Sequence, residues 1–185
     1  MKMMYGVNTI KKEKNMKVLI VVDMQNDFIF GSLGSDAAQA ILPNVVKKVQ
    51  DYQNNGYDII RTFDTHYEDY METYEGKCLP IPHCTYLNEG WYYPDELENL
   101  LYDAKAIHKS TYGYTDWKKY FKNAPEVIEL CGICSEVCVI TNALMLRSYY
   151  PETEIRVDSS CCAGLTPERH NAALEVMRSC NITII

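Results

Sequence analysis

Hydrophobic positions along this chain follow two periods that alternate with each other. Lys17 to Asp23 (KVLIVVD) is an unbroken run of mostly β-branched residues, which predicts a central parallel strand buried on both faces. From Ala37 to Gln53 the apolar residues Ala40, Ile41, Val45, Val46 and Val49 fall at helical spacing, and Asn54, Asn55 and Gly56 give a stop signal. Tyr57 to Asp64 (YDIIRTFD) predicts a second strand. A helix over Pro94 to Tyr102, a strand over Ala104 to His108 and a short helix over Thr115 to Phe121 follow. Val127 to Leu130 predicts a fourth strand, and Ser135 and Glu136 open a helix running to about Tyr149. The chain closes with a strand over Thr153 to Val157, a helix over Pro167 to Cys180 with proline at its start, and a strand over Ile182 to Ile185. Two stretches have neither period. Met1 to Asn15 is polar and Lys-rich and predicts a flexible extension. Thr65 to Glu89 is long, rich in His, Pro and Cys, and too polar for core; loops of that length are usually functional or disordered.

Strand and helix alternate from Met16 to the end without repeats or composition breaks. The expectation is one α/β domain over 16–185: three α/β/α layers around a doubly wound, mostly parallel sheet of about six strands. A length of 185 residues is enough for a substantial core. The 18 basic and 25 acidic residues leave a net charge of −7, which argues against a nucleic-acid or anionic-membrane surface. No apolar tract has the length of a membrane span. Eight cysteines could form a disulfide framework, but no signal peptide is visible: MKVLIVVDM is too short and is interrupted by Asp23. The expectation is a cytoplasmic protein with mostly free thiols. Fifteen tyrosines read as a compositional habit without functional meaning.

In parallel sheets ligands bind beyond the carboxyl ends of the strands. Asp23, then Asp64 with His66, then Lys109, then Cys138 stand at four predicted strand ends, and the coincidence is more telling than any one of them. An isolated Asp23 would be a turn or cap residue. At the rim of an apolar sheet its carboxylate is partly desolvated and suits a general base; Asp27 reads as the cap or turn. Lys109, by default a solvated lysine, could stabilise a nearby thiolate and carboxylate. His108 points to the other side of its strand and reads as structural. Cys138, in the first turn of a helix, faces unpaired N–H groups and the positive end of the dipole, which favour thiolate. Asp64, His66 and His83 make a carboxylate–imidazole–imidazole set suited to Zn²⁺, Fe²⁺ or Mn²⁺, with Glu75 a further candidate ligand. D-x-H alone is a weak pattern, and loop polar residues explain it about as well. A metal cluster on Cys131, Cys134 and Cys138 would need a second cysteine pair, which the adjacent Cys161 and Cys162 do not readily supply.

Together VVDMQNDF, the DTH after the second strand, PIPHC, HKSTYGY and CGICSEVCV resemble, in order and spacing, the motifs of the isochorismatase-like cysteine hydrolases, over Met16 to the end. Asp64, His66 and His83 match the metal ligands of the nicotinamidases in that superfamily. The resemblance implies an amidohydrolase with Asp23, Lys109 and Cys138 as its triad and a divalent metal, zinc first. It also implies a cis peptide just before Cys134, backbone N–H groups of Cys134 and Cys138 as oxyanion donors, Phe28 lining the pocket, and a homo-oligomer (dimer or tetramer). Two departures fall in the substrate loop. Cys78 to Pro82 (CLPIP) lacks the aromatic residue usual before the metal-binding His, and Leu87-Asn88 replaces a Gly-Thr. A related hydrolase of N-carbamoyl or ureido compounds and a catalytically silent binding relative are therefore the competing readings. A flavodoxin-like domain fits the fold but lacks a glycine-rich loop at Met24 to Phe28.

Overall fold

The computed structural model describes residues 16–185; the extension expected over 1–15 lies outside them. In chain order the elements are β1 (Lys17–Val22), α1 (Asn26–Ile29), α2 (Asp36–Asn54), β2 (Asp58–Asp64), α3 (Tyr74–Cys78), α4 (Asp95–Leu100), β3 (Lys105–Lys109), α5 (Trp117–Tyr120), β4 (Val127–Ile133), α6 (Ile140–Tyr149), β5 (Glu154–Ala163), α7 (Pro167–Ser179) and β6 (Thr183–Ile184). The six strands form one sheet of order β3-β2-β1-β4-β5-β6, and every pairing is parallel. This is the expected doubly wound α/β architecture, with helices covering the sheet. Among the described residues no helix is long and apolar enough to cross a membrane.

The apolar runs dictate this arrangement. In β1 every residue from Val18 to Val22 is buried, and all seven residues of β4 are buried, as a central strand covered on both faces requires. Helix α2 turns Ala38, Ile41, Leu42, Val45 and Val49 inward, and Ser35 caps it by accepting from the Ala38 N–H. The strand order reverses between β1 and β4, which leaves a crevice beyond their carboxyl ends. Here the two backbones approach closely. Gly132 has φ +123°, and a Cβ on it would lie 2.0 Å from the Val22 carbonyl oxygen.

Two expectations are corrected by packing. Thr65 to Glu89 is not wholly outside the core: Tyr70, His66, His83 and Cys84 are buried, and α3 and two short 3₁₀ turns organise it. The segment that opens at Ser135 is a π-helical turn over Ser135–Val139, and α6 begins only at Ile140. Strand β5 also runs past the expected Val157 to Ala163, through a register shift against β4, whereas β6 covers only Thr183–Ile184 of the expected Ile182 to Ile185.

Candidate active site

Asp23 leaves β1 in the left-handed region (φ 49°), a conformation unusual for a residue other than glycine and common at functional sites. Its N–H donates to the Thr62 carbonyl, and the Thr62 hydroxyl donates to Oδ1 at 2.6 Å, so β2 fixes the carboxylate from the side. Lys109 closes β3, paired in register with Asp64 of β2. Its ammonium lies 2.6 Å from Asp23 Oδ2, 3.4 Å from Asp64 Oδ1 and 3.6 Å from Cys138 Sγ. Asp23, Lys109 and Cys138 are all buried, at 0%, 4% and 5% exposure. Residues at four predicted strand ends thus meet around one ammonium.

Burial raises the Asp23 carboxyl above its usual range despite the adjacent lysine. For Asp64 burial acts in the same sense, but Lys109 and the bonds from His66 and His83 outweigh it and hold that carboxyl low. Burial disfavours the Lys109 charge, yet Asp23, Cys138 and Asp64 keep it protonated. The thiol of Cys138 departs from expectation. Burial pushes it up, Lys109 opposes that, and Asp23, Asp64 and a hydrogen bond with Asp23 push it up further. These buried surroundings favour the thiol of Cys138 over the thiolate. Burial of the thiol is the leading cause; the Lys109 ammonium opposes it, and the Asp23 and Asp64 carboxylates reinforce it. The bond between Ile133 and Cys134 is cis, as the resemblance implied. Cys131 is fully buried, and burial raises the Cys134 thiol to about 12; of the three cysteines in this stretch it is Cys138 whose sulfur lies against the Lys109 ammonium.

Asp64, His66, Glu75 and His83 place one ligand atom each within 4.8 Å of one another. His66 Nε2 lies 3.1 Å from Asp64 Oδ2 and 3.8 Å from Glu75 Oε1, and His83 Nε2 lies 3.5 Å from Asp64 Oδ2. Bonds of about 2.1 Å to a tetrahedral ion separate its ligand atoms by about 3.4 Å, so these residues fit a divalent metal. His83 Nδ1 donates to the Ile81 carbonyl at 2.8 Å, which turns the Nε2 lone pair to the cluster. Asp27, expected to be a cap or turn residue, accepts the Ser32 N–H through Oδ1 at 3.4 Å in the turn after α1, and its Oδ2 accepts the Cys84 N–H at 2.7 Å, which anchors the residue after His83 to α1.

Phe28 is buried beside His83, with ring centroids 5.6 Å apart. His108 lies on the opposite face against Phe63 and Trp91, as expected of a structural residue. Three positioning groups escaped sequence reasoning. Gln25 is fully buried; its amide donates to the Asp64 and Trp91 carbonyls and accepts the Asp64 N–H. Tyr70 is 2% exposed, with its ring 4.6 Å from His66 and 5.1 Å from His83. Asn142 donates to the Cys138 and Tyr112 carbonyls and accepts from Tyr114 N–H and the Trp117 indole, tying the 112–117 segment to the nucleophile turn. Gln25 stood in a singled-out motif; the tyrosine carried no local signal. A cavity of about 340 Å³ lined by His66, Thr73, Tyr74, Glu75, Cys78, Ser110, Thr111 and Tyr112 opens onto the metal-ligand cluster. A larger cavity, about 710 Å³, lies at the opposite end of the sheet and contains none of these groups.

A cysteine, a lysine and an aspartate gathered at the carboxyl edge of a parallel sheet define a cysteine-centred α/β protein. The chain belongs to the isochorismatase family, whose Isochorismatase domain model matches residues 17–185. It is 24% identical over 219 residues to the nicotinamidase of Saccharomyces cerevisiae, covering 92% of this chain and 99% of that one. The zinc complex of the Pyrococcus horikoshii pyrazinamidase shares 28% identity at a TM-score of 0.77, covering 91% of this chain and 98% of that one. The pyrazinamidase/nicotinamidase of Streptococcus mutans shares 25% identity at a TM-score of 0.82, covering 91% and 99%.

Proposed function

We propose that the protein is a metal-assisted cysteine amidohydrolase that converts a small carboxamide to its acid and ammonia, with nicotinamide the leading substrate. The observation that carries this reading is the single ammonium of Lys109, 2.6 Å from Asp23 and 3.6 Å from Cys138, in a buried cluster. Asp23, raised by burial toward a useful basicity, takes the proton of the resting thiol as Cys138 Sγ attacks the amide carbon. Lys109 stays protonated and stabilises the emerging thiolate. The backbone N–H groups of Cys134 and Cys138 hold the tetrahedral oxyanion. Asp23 then returns the proton to the departing nitrogen, ammonia leaves, and a thioester remains on Cys138. Asp23 removes a proton from water as the water attacks the thioester carbonyl, and the thiol is restored as the acid departs. Asp64, His66 and His83, with Glu75 alongside, would hold a divalent metal that supplies Lewis acidity for orienting substrate or water when bound. The zinc in the Pyrococcus horikoshii relative supports zinc over iron or manganese.

The relatives named nicotinamidase or pyrazinamidase support an aromatic carboxamide. Phe28 and Tyr70 bracket His83 and supply aromatic surface that the CLPIP segment does not. That segment, with Ile81 38% exposed, is what favours a second reading, a hydrolase of N-carbamoyl or ureido compounds. Ammonia release from nicotinamide, pyrazinamide and several carbamoyl compounds, with and without chelator, separates the two. Nicotinamide turnover that stops on chelation and returns with zinc is expected. Turnover of carbamoyl compounds alone would replace the leading substrate, and unchanged turnover in Cys138→Ala would remove the mechanism.

A further inference from the structure

The nucleophile turn is held at both ends by side chains that do not belong to the reacting cluster. At its far end the Asn142 amide, inside α6, donates to the Cys138 carbonyl at 2.8 Å. At its near end Ser135, fully buried, places Oγ 2.7 Å from Nδ1 of His170 in the first turn of α7. Ser135 does not cap its own turn; its hydroxyl is turned to the neighbouring helix α7. The neighbouring Glu136 reaches the same junction, where Oε1 accepts the Leu165 N–H at 2.8 Å. Gly164 lies between the two: a Cβ there would fall 2.6 Å from Glu136 Oε2 and 3.0 Å from His170 Cβ. The β5–α7 junction is thus moulded onto the first two residues of the turn.

This contact bears on chemistry because of where Ser135 sits. It lies between Cys134 and Cys138, whose N–H groups are the proposed oxyanion donors, and it precedes the attacking sulfur by three residues. Oxyanion donors work only within a few tenths of an ångström of their target, and a misplacement of about 1 Å costs on the order of a hundredfold. A buried hydroxyl deprived of its partner shifts or drags its backbone. We propose that His170 is a positioning residue for the nucleophile turn: through the Ser135 hydroxyl it fixes the path that presents Cys138 Sγ and the two N–H groups to the amide. The proposal rests on the amidohydrolase reading for its kinetic consequences, but not for its geometric ones.

The test uses His170→Phe, which keeps ring volume and removes Nδ1, together with Ser135→Ala and the double variant. Two rescue variants complete the set: in His170→Asn the amide falls near the Nδ1 position, and in His170→Gln it falls near Nε2. On nicotinamide, His170→Phe and Ser135→Ala should each lower kcat by roughly ten- to a hundredfold with KM changed less than about twofold. The double variant should lose no more than the worse single, and Asn but not Gln should restore most of the rate. The alkylation rate of Cys138 by iodoacetamide, read by peptide mass mapping, should follow the same order. Unchanged kcat in His170→Phe, multiplying losses in the double variant, or Gln rescuing as well as Asn would each overturn the proposal. If His170→Phe does not fold, Ser135→Ala and the Asn and Gln variants decide it by the same criteria. If the wild-type protein releases ammonia from no amide, the amidohydrolase reading fails separately. Equal Cys138 alkylation rates across the set would then overturn the positioning claim on its own.

Discussion

The two halves of the site are built on different principles. The proposed reacting half (Asp23, Lys109, Cys138) stands at the ends of β1 and β3 and on the turn after β4, and its members are buried and held from several sides: Thr62 on Asp23, Asn142 and the 133–139 backbone on Cys138. The candidate metal-binding half begins at Asp64 on the end of β2 and otherwise stands on the loop from Thr65 to His83, with exposed Tyr67, Met71 and Tyr74. It is tied down at a few points, by Gln25 at Asp64, Asp27 at Cys84 and the pairing of His66 with Thr85. The first half is fixed within the packed frame of the sheet, while the second depends on a segment that leaves more of its surface exposed.

Changes in the first half should therefore strike folding or turnover, and changes in the second metal retention or substrate affinity. The largest effect expected is Gly132→Ala. The added methyl meets the Val22 carbonyl at 2.0 Å in a backbone conformation hostile to L residues, and should cost about 4 kcal/mol or more. Thermal unfolding of the soluble fraction measures it; a Tm near wild type would mean that β1 and β4 can part without harm. Next comes His83→Ala, which should lower metal content at least about a hundredfold in affinity while Cys138 alkylation stays at the wild-type rate. Loss of thiol reactivity along with metal would merge the two halves into one.

The pH profile sharpens the first half. Burial raises Asp23 above its ordinary 3.8, and the base must be unprotonated to act, so kcat/KM should climb as pH rises through that raised value. An acid limb at or below pH 3.8 would place the base elsewhere. The smallest effect expected is Tyr112→Ala, at the mouth of the 340 Å³ cavity and 44% exposed. KM should rise about three- to tenfold with kcat nearly unchanged; a loss confined to kcat would put Tyr112 in the reacting half.

The same division explains what the sequence made legible. Buried parallel strands announce themselves as apolar runs, so Asp23 and Asp64 could be placed at strand ends before any contact was known; Lys109, on the mostly exposed edge strand β3, was placed by the alternation of strand and helix. The upward push on the Cys138 thiol could not be read this way, because it comes first from burial and then from carboxylates brought in from β1 and β2. Tyr70 was equally hidden. One tyrosine among fifteen carries no pattern that separates a ring packed on two metal-site imidazoles from Tyr74, which is 85% exposed four residues on. Ser135 read as the start of a helix, and only the fold reveals that its hydroxyl answers to His170, thirty-five residues away.

The central claim is a thioester on Cys138. Rapid acid quench of the metal-loaded protein turning over nicotinamide, followed by peptide mass analysis, addresses it most directly. A nicotinoyl adduct on the Cys138 peptide, absent from the seven other cysteines and from Cys138→Ala, is the predicted result. Ammonia release that proceeds without any adduct and persists in Cys138→Ala would contradict it.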